Sequence, residues 1–367
     1  MAHFNPSRLD LARRRRGCTK GALARAAALA PRTLTAYERG ETEPDERVLA
    51  RLGAALAFPV AFFVREDAVE PSIDGVSFRA LSSMTARQRD QACGAASIAL
   101  ELDQWTRERF DLPDMKVPRL REMEAEAAAE AVRVEWGLGE QVAPNMIHLL
   151  EAHGVRVFSL VQECAEVDAF SFWHDGTPYV FLNGMKTAER SRMDAAHELG
   201  HLVLHYWGGP KGRAAEQDAQ LFGASFLMPR RDVLATMPHG ATVPQIIEAR
   251  KRWKVAAMNL AVRMAKLALL TEWQARSSYI QLGQRGFRAG EPGGIERETS
   301  QVWDKVFTAL RNEGTSRGEV ARQLDVSLED LNASVFGLVV PKDGVVSRTT
   351  ARPLPSGPPT LKIVGNK

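Results

Sequence analysis

The sequence predicts a mainly α protein with one small β-sheet, of the α+β class, and three observations carry that expectation. Residues 7–63 are a run of short amphipathic stretches punctuated by Gly, Pro and Asp, as in a compact all-helical module. The apolar segments Ala169–Trp173 and Tyr179–Asn183 flank His174-Asp175-Gly176-Thr177-Pro178, which reads as a hairpin. The stretches Arg192–His205 and Ala214–Met228 contain no internal helix breaker and place apolar residues at helical spacing. With 367 residues, 45% of them apolar, the chain has material for two or three domains. The expected division is an all-α module over 1–65, a linker over 66–80 and a body over 81–275. A helical C-terminal region over 276–340 and a disordered, proline-rich tail over 341–367 complete it.

Composition narrows the setting. No run of 18 apolar residues exists, so no transmembrane helix and no membrane partner are expected. The N-terminus lacks the apolar core of a secretion signal. Cys18, Cys93 and Cys164 have no paired spacing, which fits a reducing cytoplasm and argues against a cysteine metal site. The net charge of +3 conceals an asymmetry, because residues 1–65 hold 12 Lys/Arg against 6 Asp/Glu and the remainder 36 against 39.

In the N-terminal module, Leu9, Ala12 and the Arg13–Arg16 run form a first helix and Ala22–Ala27 a second. Pro31–Arg39 follows a short turn, with proline suited to its first turn and Gly40 as its stop. Asp45–Leu56 is a fourth helix, and Phe58, Phe62 and Phe63 close the core. The third helix exposes Arg32, Thr33, Thr35 and Ala36, a set suited to a major groove. With Leu34-Thr35-Ala36-Tyr37-Glu38-Arg39-Gly40 at its end, the module resembles the XRE-type helix-turn-helix repressors. The resemblance implies a double-stranded operator, palindromic and read by a homodimer. Two residues depart from that pattern: Ala28 stands for the usual turn glycine and Ala30 for the usual serine cap, each costing on the order of 1 kcal/mol. The alternative is a helical dimerisation module with a solvated arginine run.

Thr85–Phe110 and Leu120–Glu135 read as helices, Val155–Phe158 as a strand, and the hairpin as a sheet edge to which a peptide can add. His174, at the hairpin tip, reads as solvated. Asp232–Met237, Val243–Leu270 and Glu296–Arg311 read as helices, with a Gly/Pro-containing break over 286–294. Glu319–Leu331 imitates a second helix-turn-helix, but Glu329 and Asp330, at its expected exposed positions, would repel phosphate. It reads as a packing or protein-contact element.

The chemistry sits in Arg192–His205. His197 and His201 are i and i+4, one turn apart on one face, where two neutral imidazoles can bind a single divalent ion. Glu198 is placed to hold a metal-bound water. In this H-E-x-x-H pattern zinc acidifies the water and the carboxylate takes its proton. The alternative is a helix that happens to carry two partly buried histidines. A third ligand is best supplied by Glu216, which shares a face with Ala219, Gln220 and Gly223; Asp218 points away. Three histidines in one stripe cannot close a tetrahedron, so His205 reads as a support for a ligand or a transition-state donor rather than a ligand. Tyr206 and Arg192 are further candidates for stabilising an oxyanion, but Arg192, which can also pair with Asp194, reads first as a structural residue.

The run Arg192-x-x-x-Ala196-His197-Glu198-Leu199-Gly200-His201-Leu202-x-Leu204-His205, followed by Glu216-x-x-Ala219-x-x-Phe222 and Leu227-Met228-Pro229, resembles the ImmA/IrrE metallopeptidases. Members of that family resemble gluzincin-type zinc proteases and cut helix-turn-helix repressors to release stress or mobile-element genes. Carried over by position, the resemblance implies His197, His201 and Glu216 as zinc ligands and Glu198 as the base. Gln220 departs from the Asn or Asp that orients a histidine in the family. The whole reads as a cytoplasmic DNA-binding regulator fused to a zinc endopeptidase with a repressor-type protein substrate. The alternative is a non-proteolytic transcription factor whose protease fold senses a ligand or dimerises.

Overall fold

The computed structural model describes residues 3–71, 84–160, 169–206, 212–335 and 338–339. Most of the expected linker (its residues 72–80) and the expected tail (341–367) lie outside the described residues. The architecture is mostly helical with a single three-stranded sheet. Among the described residues no helix is long and apolar enough to cross a membrane.

The N-terminal head consists of α1 (Pro6–Arg15), α2 (Lys20–Ala26), α3 (Pro31–Glu38), α4 (Glu46–Leu56) and a 3-10 turn (Val60–Val64). Asn5, Thr19 and Asp45 cap α1, α2 and α4 by accepting backbone N–H groups, which fixes where each helix begins. Ala30 caps α3 without a side-chain bond, and Ala28 is left-handed at φ +52°, the two local penalties its sequence predicts. Leu9, Leu23, Leu34, Leu52, Phe62 and Phe63 are fully buried and repay them.

The arginine run is not a solvated patch. Arg13 pairs with Asp10 and Glu38, and Arg14 with Asp10 and Glu70. Arg15 and Arg16 reach across the molecule to Asp330, at 2.9 and 2.6 Å. Asp330 is 1% exposed, so the reading of it as a surface charge is corrected: its helix turns that carboxylate inward onto two guanidiniums. Burial raises its pKa, but hydrogen bonding to Arg16 and the charges of Arg15 and Arg16 outweigh that and hold it below the ordinary carboxylate range. The head also leans on α5 (Ala86–Arg107). Gly94 lies so close to α1 that a Cβ there would stand 2.9 Å from Arg15 Cα, and Arg8 pairs with Glu101.

In the body, α6 spans Ala125–Glu135 rather than starting at Leu120. The residues before it run over the body, and Leu120 N–H donates to Val203 O at 2.9 Å. After α7 (Met146–Ala152) come β1 (Arg156–Leu160), β2 (Ala169–His174) and β3 (Thr177–Asn183), in the order β1-β3-β2. The hairpin expected from the sequence is β2–β3, antiparallel with Phe170 opposite Phe181 and closed by Asp175 and Gly176, both at positive φ. β1 adds to β3 in parallel, leaving β2 at an edge. Next come α8 (Ala188–Leu204) and α9 (Arg213–Leu227), whose pairing is the heart of the body.

Beyond α10 (Arg230–Thr236), the single helix expected over Val243–Leu270 is two, α11 (Val243–Trp253) and α12 (Ala257–Lys266). Lys254 is left-handed at φ +55°, which ends α11 and turns the chain. After α13 (Glu272–Gln284), α14 spans Gln301–Asn312; the Ser300 side chain caps it, so the expected start at Glu296 is five residues early. Residues between α13 and α14 strap across the body, with Arg250 against Glu189 and Glu291 and Arg192 on Glu298. The C-terminal pair is α15 (Arg317–Gln323) and α16 (Leu328–Val335), which carries Asp330.

Candidate metal centre

Thr187 caps α8 through Arg190 N–H, and Met193, Ala196, Leu199, Leu202 and Val203 bury its apolar side. That orientation leaves His197 and His201 facing α9. The two helices meet where small residues allow it. A Cβ on Gly223 would lie 2.9 Å from His197 N, and one on Gly200 would lie 3.1 Å from Ala219 Cα. This contact carries Glu216 to the histidines.

The three side chains converge. His197 Nε2 lies 3.1 Å from His201 Nε2, and the Glu216 carboxylate offers one oxygen to each ring, at 3.3 and 3.4 Å. It is the one group of three such side chains clustered tightly enough to hold an ion among the described residues. Burial raises the Glu216 pKa, yet hydrogen bonds from both imidazoles outweigh it and hold the carboxyl well below its usual range. Burial lowers the His197 pKa, but the Glu216 hydrogen bond and the charge of Glu198 more than offset that and leave it raised.

Glu198 is 3% exposed and lies under the edge of the sheet. Ser171, on β2, donates its hydroxyl to Glu198 Oε2 at 2.6 Å. Sequence reading passed over Ser171; its only signal is that alternate residues of β2 face α8.

His205 follows α8 with Nδ1 2.9 Å from His201 Nδ1, and its Nε2 lies 4.0 Å from Asp218 Oδ2. Burial, with the neighbouring His201 charge, pushes its pKa down to about 4, so it is neutral at neutral pH and able to accept from His201. Its place is beside a histidine of the cluster. Gln220 is exposed on α9, and His197 Nδ1 is buried with no hydrogen-bond partner among the described residues, so the structure does not bring that amide to the ring. Arg192 is also away from the cluster. It is completely buried and committed to Ala143 O, Pro144 O and Glu298, as a guanidinium in an apolar interior must be. Tyr206 packs edge-on against Trp173 of β2 at 4.8 Å.

In the head, α3 leaves Arg32 exposed and Thr33, Thr35 and Ala36 half-buried, while Thr35 Oγ1 donates back to Pro31 O at 3.0 Å. Arg25, Arg39, Arg47 and Arg51 are exposed around the same helices. These arginines, rather than the Arg13–Arg16 run, supply the head's outward positive charge.

Comparison with known families agrees with this layout. Residues 9–63 match the helix-turn-helix family, and residues 150–265 match the IrrE N-terminal-like domain, a peptidase family. The chain therefore joins an XRE-type helix-turn-helix domain to a peptidase-family domain of the ImmA/IrrE type. No curated protein matches it.

Proposed function

We propose that this chain is a cytoplasmic DNA-binding regulator whose body is a zinc-dependent endopeptidase, with His197, His201 and Glu216 as the zinc ligands. The observation that carries the reading is the spacing of the three ligand groups, 3.1 to 3.4 Å. The two imidazole nitrogens are 3.1 Å apart, close to the edge of about 3.3 Å that a tetrahedron with bonds of about 2.0–2.1 Å requires, and the Glu216 carboxylate reaches both rings, so three protein donors can meet one zinc and leave a fourth position for water. Two imidazoles and one carboxylate are also the donor types of catalytic rather than structural zinc sites. Bound there, the ion supplies Lewis acidity and a nucleophilic water near neutral pH.

The chain's own residues do the rest. Glu198 is the general base, and the carboxylate can pass the accepted proton to the leaving amine. Ser171 holds one carboxylate oxygen by its 2.6 Å hydrogen bond, leaving the other for the proton. The β2 edge offers backbone N–H and C=O groups to an extended peptide, aligning it over Glu198. His205 orients His201 from behind.

In the head, Arg32, Thr33, Thr35 and Ala36 read base edges of a duplex operator, and a homodimer places two recognition helices about one helical turn apart. A helix-turn-helix repressor, cut in a stress or mobile-element response, is the proposed substrate class. A second reading, a regulator that senses without cutting, draws support from the Asp330 contact that ties head to body.

The test is a digest of candidate repressors with the zinc-loaded chain and with Glu198→Gln. Cleavage by the parent alone, stopped by a chelator, is expected. Unaltered regulation by Glu198→Gln in cells, with no cleavage by the parent, would overturn the peptidase in favour of the sensor.

A further inference from the structure

One exposed cation, Arg119, lies at the end of the helix that carries the two histidines and is held in a manner that a solvated arginine does not need. Arg119 Cζ sits 3.9 Å from the Tyr206 ring centroid and 5.2 Å from that of Trp173. Those rings form an edge-to-face corner, and Trp173 Nε1 anchors it by donating to Leu202 O at 3.2 Å. The neighbouring bond from Leu120 N–H to Val203 O pins the Arg119 segment against the end of α8. Arg119 has no carboxylate partner among the described residues.

The corner has a definite place relative to the proposed chemistry. Ser171 and Trp173 share a face of β2; the first touches Glu198, and the second touches Leu202, one helical turn further along α8. A peptide adding to the β2 edge, with its scissile bond by Glu198, advances about 3.3 Å per residue. A side chain about two residues from that bond therefore comes to the corner. A guanidinium held over an aromatic ring, as Arg119 is 3.9 Å from the Tyr206 centroid, still has N–H donors to offer, in the fork that fits a carboxylate.

We infer that Arg119, held by Tyr206 and Trp173, is a specificity-determining residue that selects an Asp or Glu side chain about two residues from the cleaved bond of a peptide substrate. The inference rests on the peptidase reading of the metal centre and adds to it the chemical class of the substrate sequence.

The experiment incubates the zinc-loaded full chain with a mixed-sequence peptide library and reads cleavage sites by mass spectrometry. In parallel, Glu198→Gln is used to capture peptides from the same library without turnover. Acidic residues should be enriched about two- to fivefold at one position near the bond, the scale of a well-formed exposed charge pair. Arg119→Glu should invert that preference toward Lys and Arg, while Arg119→Lys should weaken it. Cleavage with no acidic preference, or with a preference unchanged in Arg119→Glu, overturns the inference and leaves the peptidase reading standing. Capture of acid-bearing peptides that Arg119→Glu abolishes, without cleavage by the parent, supports the selecting corner while the peptidase reading falls. Neither cleavage nor selective capture overturns both.

Discussion

The chain contains the same turn twice, and the two copies have opposite uses. In the head, α2 and α3 are joined through Ala28 at φ +52°; at the far end, α15 and α16 are joined through Asp325 at φ +53°. Each turn is followed by an N-cap position, Ala30 in one and Ser327 in the other. The C-terminal copy is better built locally. Aspartate tolerates the left-handed region better than alanine, and Ser327 accepts from Asp330 N–H at 3.0 Å where Ala30 makes no side-chain bond. Its charges nevertheless disqualify it as a reader of phosphate. Where α3 exposes Arg32 as its second residue, α16 exposes Glu329, and the next residue, Asp330, is spent on Arg15 and Arg16 of the head. Backbone geometry makes a helix-turn-helix; the signs of the charges it exposes and buries decide whether it faces DNA or its own head.

The largest expected effect is on the buried side of that comparison. Asp330→Ala leaves Arg15 and Arg16 without their shared carboxylate, and breaking a buried charge pair costs about 3–5 kcal/mol. A urea titration of the full chain should show that loss. A change under about 1 kcal/mol, the scale of a surface pair, would mean that the clamp does not hold the head in solution.

Next comes the exposed side. Arg32→Ala should reduce discrimination between operator and scrambled duplex by about 1–3 kcal/mol. In a fluorescence titration at two salt concentrations, Arg47→Ala should lower the salt slope by about 0.9 if Arg47 meets a phosphate, whereas Arg13→Ala, already paired with Asp10 and Glu38, should leave it unchanged. Equal slopes for the two variants would put the arginine run on the DNA face as well.

Much of this was legible in the sequence because it is local. The i, i+4 histidines, the Glu216 face with Ala219 and Gly223, the Asp-Gly hairpin and the poorly capped α3 depend on residues within a few turns of one another. The parts that escaped depend on distant segments. Nothing in Arg15-Arg16 signals a carboxylate more than 300 residues later, so their ion pairs are not legible in the run itself. Ser171 and Arg119 acquire meaning only when β2 and the segment before α6 pack on α8. Arg192 reads as structural from the sequence, but its partners, Pro144 and Glu298, lie too far along the chain to be read there. The Lys254 turn is a left-handed lysine, which sequence preference argues against.

The smallest expected effect bears on the two turns themselves. Ala28→Gly should stabilise the protein by about 1 kcal/mol, since glycine carries no penalty at positive φ, and Asp325→Gly by only a few tenths. Thermal melts of the two variants decide it. Equal gains would show that the turns are equally strained and that the C-terminal copy is no better built than the head's.

The central claim, that α8 and α9 together make a metal centre serving Glu198, is tested most directly by elemental analysis of three purified proteins. The parent and Glu198→Gln should each carry one zinc per chain, because Glu198 serves the water and not the ion, and Glu216→Ala should lose most of it. Full zinc in Glu216→Ala, or loss of zinc in Glu198→Gln, would contradict the assignment of ligands and base.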